Sequence, residues 1–228
     1  MLSHTVKAKY PDATVVYNDY DNYSERLANV SKTNKLLNDL RAIVGSFKRE
    51  ARLTPDLRVK VLERVKKDDD SGYVDYITLS SSLMFSMKYV LNYEQLEKEA
   101  LYNNVKKNDY VVKGYLDGLE VVRADYKELF AQYKDCDNVV FLVDPPYLST
   151  EAGTYKNYWK LGDYLDVLNV LKCNNYFYFT SNKSHILELC EWVETNTGGV
   201  NPFNGATMST TANQMSYTAS YTDIMLYK

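Results

Sequence analysis

The sequence predicts an α/β protein with a doubly wound sheet and a helical insertion. Three observations point there. Short apolar runs alternate with amphipathic segments from residue 110 onward, the order expected when strands lie side by side under helices on both faces. The run Val139-Val140-Phe141-Leu142-Val143 is apolar at every position, as a central strand covered on both faces should be. Residues 46–110 break the alternation with helical, basic sequence, which reads as an insertion between two parts of a core at 1–45 and 111–228.

The first elements read as helix, strand, helix. Val15-Val16-Tyr17 forms a short strand that stops at the turn formers Asn18-Asp19-Tyr20-Asp21-Asn22. Ser24 can cap a helix in which Leu27, Val30, Leu36, Leu37, Leu40, Ile43 and Val44 recur at near-helical spacing until Gly45 stops it. Thr54-Pro55 opens a second helix to about Lys67, since proline at the first helical position gives up only an N–H that would lack a partner. Asp68-Asp69-Asp70-Ser71-Gly72 should end it, and Asn92 followed by Gln95 marks a third helix to about Asn103. Leu119 to Arg123 reads as a strand ending at Ala124-Asp125-Tyr126, with a helix from about Lys127 to Tyr133. After the apolar run, a helix is expected from Leu161 to Leu171, a strand from Tyr176 to Thr180, a helix from Ser184 to Val193 and a last strand near Asp223 to Tyr227.

Composition bounds the function. With 228 residues, 45% apolar and 25% charged, the chain has ordinary globular make-up and enough length for a sizeable core. No apolar run approaches the roughly 20 residues needed to cross a bilayer, and the start lacks the basic and apolar regions of a signal peptide. A soluble, intracellular protein is expected. Cys136, Cys173 and Cys190 are odd in number and share no metal-ligand spacing, which favours buried free thiols over a disulfide framework or zinc cluster. His4 and His185 are the only histidines and leave little for histidine-based metal or triad chemistry. Charge is uneven: residues 41–67 carry Arg41, Lys48, Arg49, Arg52, Arg58, Lys60, Arg64, Lys66 and Lys67 against Glu50, Asp56 and Glu63, a block of +6 in a chain of -3. Such a block is either a solvated helix face or a phosphate-contacting surface.

The most informative residues are Asp144-Pro145-Pro146-Tyr147, directly after the apolar run. Open α/β sheets bind ligands at the carboxyl ends of their strands, so these side chains stand where a site belongs. Two prolines also end a strand efficiently, because proline cannot donate to the ladder.

This tetrapeptide resembles the catalytic motif of amino-group methyltransferases, and with Asp first it is similar to Dam-like DNA adenine-N6 methyltransferases. The resemblance implies a Rossmann-like sheet, S-adenosylmethionine as cofactor and double-stranded DNA as partner, with Asp144, Pro145, Pro146 and Tyr147 as the catalytic set. An exocyclic adenine amine is a poor nucleophile because its lone pair is delocalised into the ring. A carboxylate from Asp144 and the carbonyl of Pro145 would accept both N6 hydrogens and favour a pyramidal nitrogen aimed at an electrophilic methyl group. Proline fixes the direction of that carbonyl, and Tyr147 would offer a face for the extruded base. Val15 to Asp19 resembles the family's second strand and acidic turn, which implies that Asp19, or failing it Asp21, accepts from the cofactor's ribose. Ala124-Asp125-Tyr126 resembles the third cofactor motif, which implies that Asp125 accepts from the cofactor's adenine. Phe177 to Asn182 is similar to the next family strand and would wall the base pocket. The 46–110 insertion falls where the family places its target-recognition region, making Lys48, Arg49, Arg52 and Arg58 the expected DNA contacts.

The family begins with a strand and a Phe-x-Gly-x-Gly turn around the methionine half of the cofactor, and Leu2 to Lys7 resembles the helix that follows them. On this reading the first strand is truncated, the sheet lacks a central member, and a separate fragment could supply the glycine-rich turn. Three alternatives stay open: a non-catalytic DNA-binding remnant, one half of a split methyltransferase, or an enzyme acting on cytosine N4, RNA adenine or protein glutamine. The last group more often carries Ser or Asn where Asp144 stands. A cytoplasmic location in a prokaryotic or phage setting is what the resemblance implies.

Overall fold

The computed structural model describes residues 2–85, 88–112, 114–148, 159–216 and 219–228. In chain order the elements are α1 (Leu2–Lys9), β1 (Val16–Asn18), α2 (Tyr23–Ala28), α3 (Val30–Val44), α4 (Pro55–Ser71), α5 (Tyr76–Leu83), α6 (Tyr93–Leu96), β2 (Glu120–Val122), α7 (Tyr126–Tyr133), β3 (Val140–Val143), α8 (Leu161–Leu171), β4 (Asn175–Ser181), α9 (Ile186–Thr197), β5 (Thr207–Ser216) and β6 (Ala219–Tyr227). They divide into two compact units, one of Met1–Asn18 with Leu119–Lys228 and one of Asp19–Gly118.

The first unit is the expected mixed α/β one, with a Rossmann-like alternation of strand and helix. Its strands form two sheets: a parallel pair β1-β2, and a four-stranded sheet in the order β3-β4-β6-β5. β3 runs parallel to β4 from Val140↔Asn175 to Val143↔Tyr178. β6 returns antiparallel to β4 and carries β5 as a hairpin partner. Phe141, Val143, Tyr176, Tyr178 and Leu226 pack with Tyr164, Val167, Leu168 and Leu171 of α8 and Ile186 and Cys190 of α9. Leu171 and Ile186 are wholly enclosed, each worth roughly 1.5–3 kcal/mol of apolar burial. The enclosed phenol of Tyr176 donates to Pro202 O at 2.9 Å, which removes the cost of burying it unpaired.

β3 corrects one expectation. Among the described residues it is an edge strand of its sheet, with Phe141 and Val143 buried and Val140 50% exposed. A short all-apolar run fits an edge position as well as a central one, because only one face has to meet α8 and the core. β5 was not foreseen, since Thr207 to Ser216 is almost wholly polar and its outer edge has no strand partner among the described residues.

The second unit is helical. Leu36, Leu37, Leu40 and Val44 of α3 share one core with Val61, Leu62 and Val65 of α4, Leu79 and Leu83 of α5, and Leu96, Leu101 and Val105 beyond them. The helical unit is therefore wider than the 46–110 insertion: the apolar stripe of α3 packs inside it. The single helix expected from Ser24 to Gly45 is two. Asn29 sits between them and its side chain donates to Glu25 O at 2.9 Å, a local bond of the kind that competes with continued helix. α4 runs on through Asp68, Asp69 and Asp70 to Ser71, because these acids are helical ion-pair partners: Arg64–Asp68 at 2.6 Å, and Lys66 to Asp69 at 3.1 Å and Asp70 at 2.9 Å. Thr54 caps it as expected, accepting from Leu57 N at 3.4 Å. α5 was not foreseen; Asp75 caps it by accepting from Thr78 N at 3.0 Å. α6 starts where expected, with Asn92 Oδ1 accepting from Gln95 N at 2.9 Å, but lasts only four residues.

All three cysteines are free, and only Cys190 is buried; Cys136 and Cys173 are exposed, against expectation. Burial raises the Cys190 thiol pKa to about 11. No helix among the described residues is long and apolar enough to cross a membrane.

Candidate active site

The carboxyl end of β3 opens into Asp144-Pro145-Pro146-Tyr147, and the elements around it hold the turn from three sides. Tyr164 of α8 donates its hydroxyl to Pro146 O at 3.0 Å. Leu148 N donates to Ser184 Oγ at 3.1 Å, and Leu148 O accepts from His185 N at 3.2 Å. The segment is thus tied to α8 and to the β4–α9 connection. Two acceptors are left over. The Asp144 carboxylate and the Pro145 carbonyl make no hydrogen bond or ion pair among the described residues. Asp144 reaches solvent while Pro145 is buried.

Protein crowds Asp144 on its remaining sides, and the loss of water raises its pKa above the usual carboxylate value. The negative charge of Asp223 on β6 raises it further. Tyr147 is half-buried, and its phenol pKa is raised, chiefly by that burial. Its hydroxyl donates to Asp223 Oδ1 at 3.3 Å. Asp223 and Ser181 stand directly opposite each other in the β4–β6 ladder.

Asp125, exposed, is the N-cap of α7. Its Oδ1 accepts from Lys127 N at 2.8 Å, and Oδ2 makes no hydrogen bond among the described residues. Tyr126 beside it stacks on Trp159 with ring centroids 4.9 Å apart and donates to Asp163 Oδ1 at 2.9 Å. Lys160 N and Lys127 Nζ also bond Asp163, and the Lys160 N–H leads the causes that hold its carboxyl below the usual range.

Asp19 has a structural task the sequence did not reveal. It is 3% exposed, and its oxygens accept from Tyr23 N at 2.5 Å and Ser24 N at 2.8 Å, so Asp19 caps the start of α2 where Ser24 was expected to. Asp21, two residues on, is exposed.

The basic block divides. Arg41 pairs with Asp109, Arg64 with Asp39 and Asp68, and Lys66 with Asp69 and Asp70. Lys48, Arg49, Arg52 and Arg58 have no carboxylate partner among the described residues. Arg49 Nη1 donates to Val105 O at 2.8 Å, and Arg58 donates to the carbonyls of Glu97 and Glu99, contacts that orient the guanidinium groups without neutralising them. Asp223 escaped the sequence reading, although a carboxylate opening the otherwise apolar run Ile224-Met225-Leu226-Tyr227 was a signal of its place.

Rossmann-like units place their sites at the carboxyl ends of strands, where these acceptors stand. A curated protein of Haemophilus influenzae strain Rd, named "Putative methyltransferase", is 34% identical over 233 residues, an alignment that takes in all of this chain and 78% of the relative. The chain belongs to that methyltransferase family and is a transferase. No family model matches it. No solved structure matches it.

Proposed function

We propose that this methyltransferase transfers a methyl group from S-adenosylmethionine to the N6 amine of adenine in double-stranded DNA. The observation that carries the reading is the pair of acceptors, Asp144 carboxylate and Pro145 carbonyl, left without partners at the end of β3. An amine with two N–H bonds needs two acceptors, and Asp144 with its raised pKa is suited to take the proton that the nitrogen sheds once methylated. Tyr147 offers a ring on which a flipped base can stack, worth about 1–3 kcal/mol.

S-adenosylmethionine supplies, when bound, an electrophilic methyl group on a sulfonium. The oxygens of Asp125 fit it: one caps α7 and the other is open to accept from an adenine amine. Asp19 accepts from Tyr23 N and Ser24 N, so its assignment to the ribose rests on chain order, with exposed Asp21 as the fallback. Lys48, Arg49, Arg52 and Arg58 are proposed to contact DNA phosphates, because their charge is uncompensated.

The interrupted sheet favours a second reading of the same chemistry. β1 and β3 each leave an edge without a strand partner among the described strands, and a strand bearing a glycine-rich turn would pair there.

Calorimetric titration with S-adenosylmethionine, then transfer of labelled methyl to unmethylated DNA, tests the proposal. The expected product after nuclease digestion is N6-methyladenine. N4-methylcytosine, or unchanged transfer by Asp144→Ala, would overturn it.

A further inference from the structure

Asp223 enters the chemistry above only as a charge that raises the Asp144 pKa, and its surroundings are unusual for a strand residue. It stands opposite Ser181, three positions past Tyr178, the partner of the last residue of β3, so the two side chains leave the sheet together at the end that carries Asp144. Both carboxylate oxygens are occupied: Oδ1 accepts from Tyr147 at 3.3 Å, and Oδ2 accepts from Asn213 Nδ2 of β5 at 2.7 Å. Ser181, 1% exposed, accepts from Lys183 N at 3.2 Å. The bonds run from Tyr147 to Asp223 and are closed from the far side by Asn213.

Asp223 has no ion-pair partner among the described residues, and Asp144 feels its charge. Keeping an unpaired carboxylate half-buried beside a second one is costly. If the network only tied the hairpin to β4, a neutral side chain would serve at lower cost. A carboxylate gains most where it must hold a hydroxyl in one orientation, since a bond to a charged acceptor is roughly twice as strong as a neutral one.

Resting on the adenine reading, we propose that Asp223 is a positioning residue: it fixes the Tyr147 hydroxyl, so that the ring is set as a stacking platform before the acceptor base arrives. Asp223 is itself held by Asn213 of β5, so the anchor it offers the phenol is fixed on the sheet. The ordering cost is met during folding and is absent when substrate binds.

The test uses Asp223→Ala, Asp223→Asn, Tyr147→Phe and the double variant Asp223→Ala/Tyr147→Phe. With unmethylated plasmid DNA as acceptor, Asp223→Ala should lower kcat about tenfold, the scale of a misplaced reacting group, with the KM for S-adenosylmethionine unchanged. Asp223→Asn, which keeps an acceptor oxygen, should recover most of it, and the double variant should be no slower than Tyr147→Phe. Additive losses, or a raised cofactor KM at unchanged kcat, would overturn the proposal. A second readout is independent of activity: 3-fluorotyrosine placed at position 147 should shift its fluorine resonance in Asp223→Ala and much less in Asp223→Asn. If Asp223→Ala does not fold, Asp223→Thr, suited to a strand, takes its place. A wild-type chain that leaves DNA unmethylated would refute the adenine reading while the fluorine signal still reports the anchor. An active wild type with an unmoved fluorine signal would refute the positioning role alone.

Discussion

The phenol of Tyr164 donates to the carbonyl of Pro146 across 3.0 Å, and this bond separates the two prolines of the strand-end turn. It commits the second carbonyl to α8, whereas that of Pro145 has no partner among the described residues. Tyr164 is 4% exposed, so Tyr164→Phe keeps the packing and removes the tether. Losing one such bond costs about 1 kcal/mol. The expected outcome is a several-fold fall in kcat with cofactor affinity unchanged, measured by steady-state methyl transfer and by calorimetry.

Asp144 should trade stability for chemistry. Its pKa in the folded chain lies above the unfolded value, so the protonated form favours folding; that contribution is fully present below the unfolded pKa and is lost as pH rises through the folded pKa. Asp144→Asn imitates the protonated form. It should raise Tm at neutral pH, and the gain should shrink as the pH is lowered, read from thermal melts at both ends. In Asp144→Ala, which removes the acceptor oxygen that Asn keeps, methyl transfer should fall by about 10²–10³-fold, the typical loss for one preorganised polar contact to a reacting group.

Asp19→Ala should act first on stability. It deprives the N–H groups of Tyr23 and Ser24 of their acceptor, a cap worth about 0.5–2 kcal/mol. Urea denaturation should show the midpoint falling. Asp21→Ala should leave it in place, since Asp21 is exposed.

The two halves of the basic block should separate by experiment. Lys48→Glu and Arg52→Glu should weaken DNA binding and flatten its dependence on log salt by about 0.9 for each phosphate no longer neutralised. Arg64→Ala should leave affinity unchanged and lower Tm by about 2–4 °C, because Arg64 is held by Asp39 and Asp68. Binding titrations across a salt series distinguish these outcomes.

Much of this was legible in the residues. Strands and helices around the Asp144 turn follow from apolar alternation and from two prolines, which are local signals, and α8 falls where its spacing places it. Partners distant in sequence were not legible. Nothing near Arg64 announces that Asp39 will meet it, and the triplet Asp68 to Asp70 reads as a turn until Arg64 and Lys66 are seen one turn earlier. Asp223 lies 76 positions from Tyr147, so only the β4–β6 register brings it to the site. The polar strand β5 offers no apolar alternation to detect, since its order comes from the ladder with β6.

Asn18 holds the shorter sheet closed. The β1–β2 ladder spans only three residue pairs, fewer than a free-standing pair needs to persist in water. The Asn18 side chain lengthens it by donating to Ala124 O at 3.0 Å and accepting from Ala124 N at 3.2 Å. Deamidation of that one side chain would set an acidic oxygen against a carbonyl, and the corner carrying Asp125 would open well before the rest of the molecule unravels. The persistence of the corner that carries Asp125 is in this sense the chemical lifetime of a single amide.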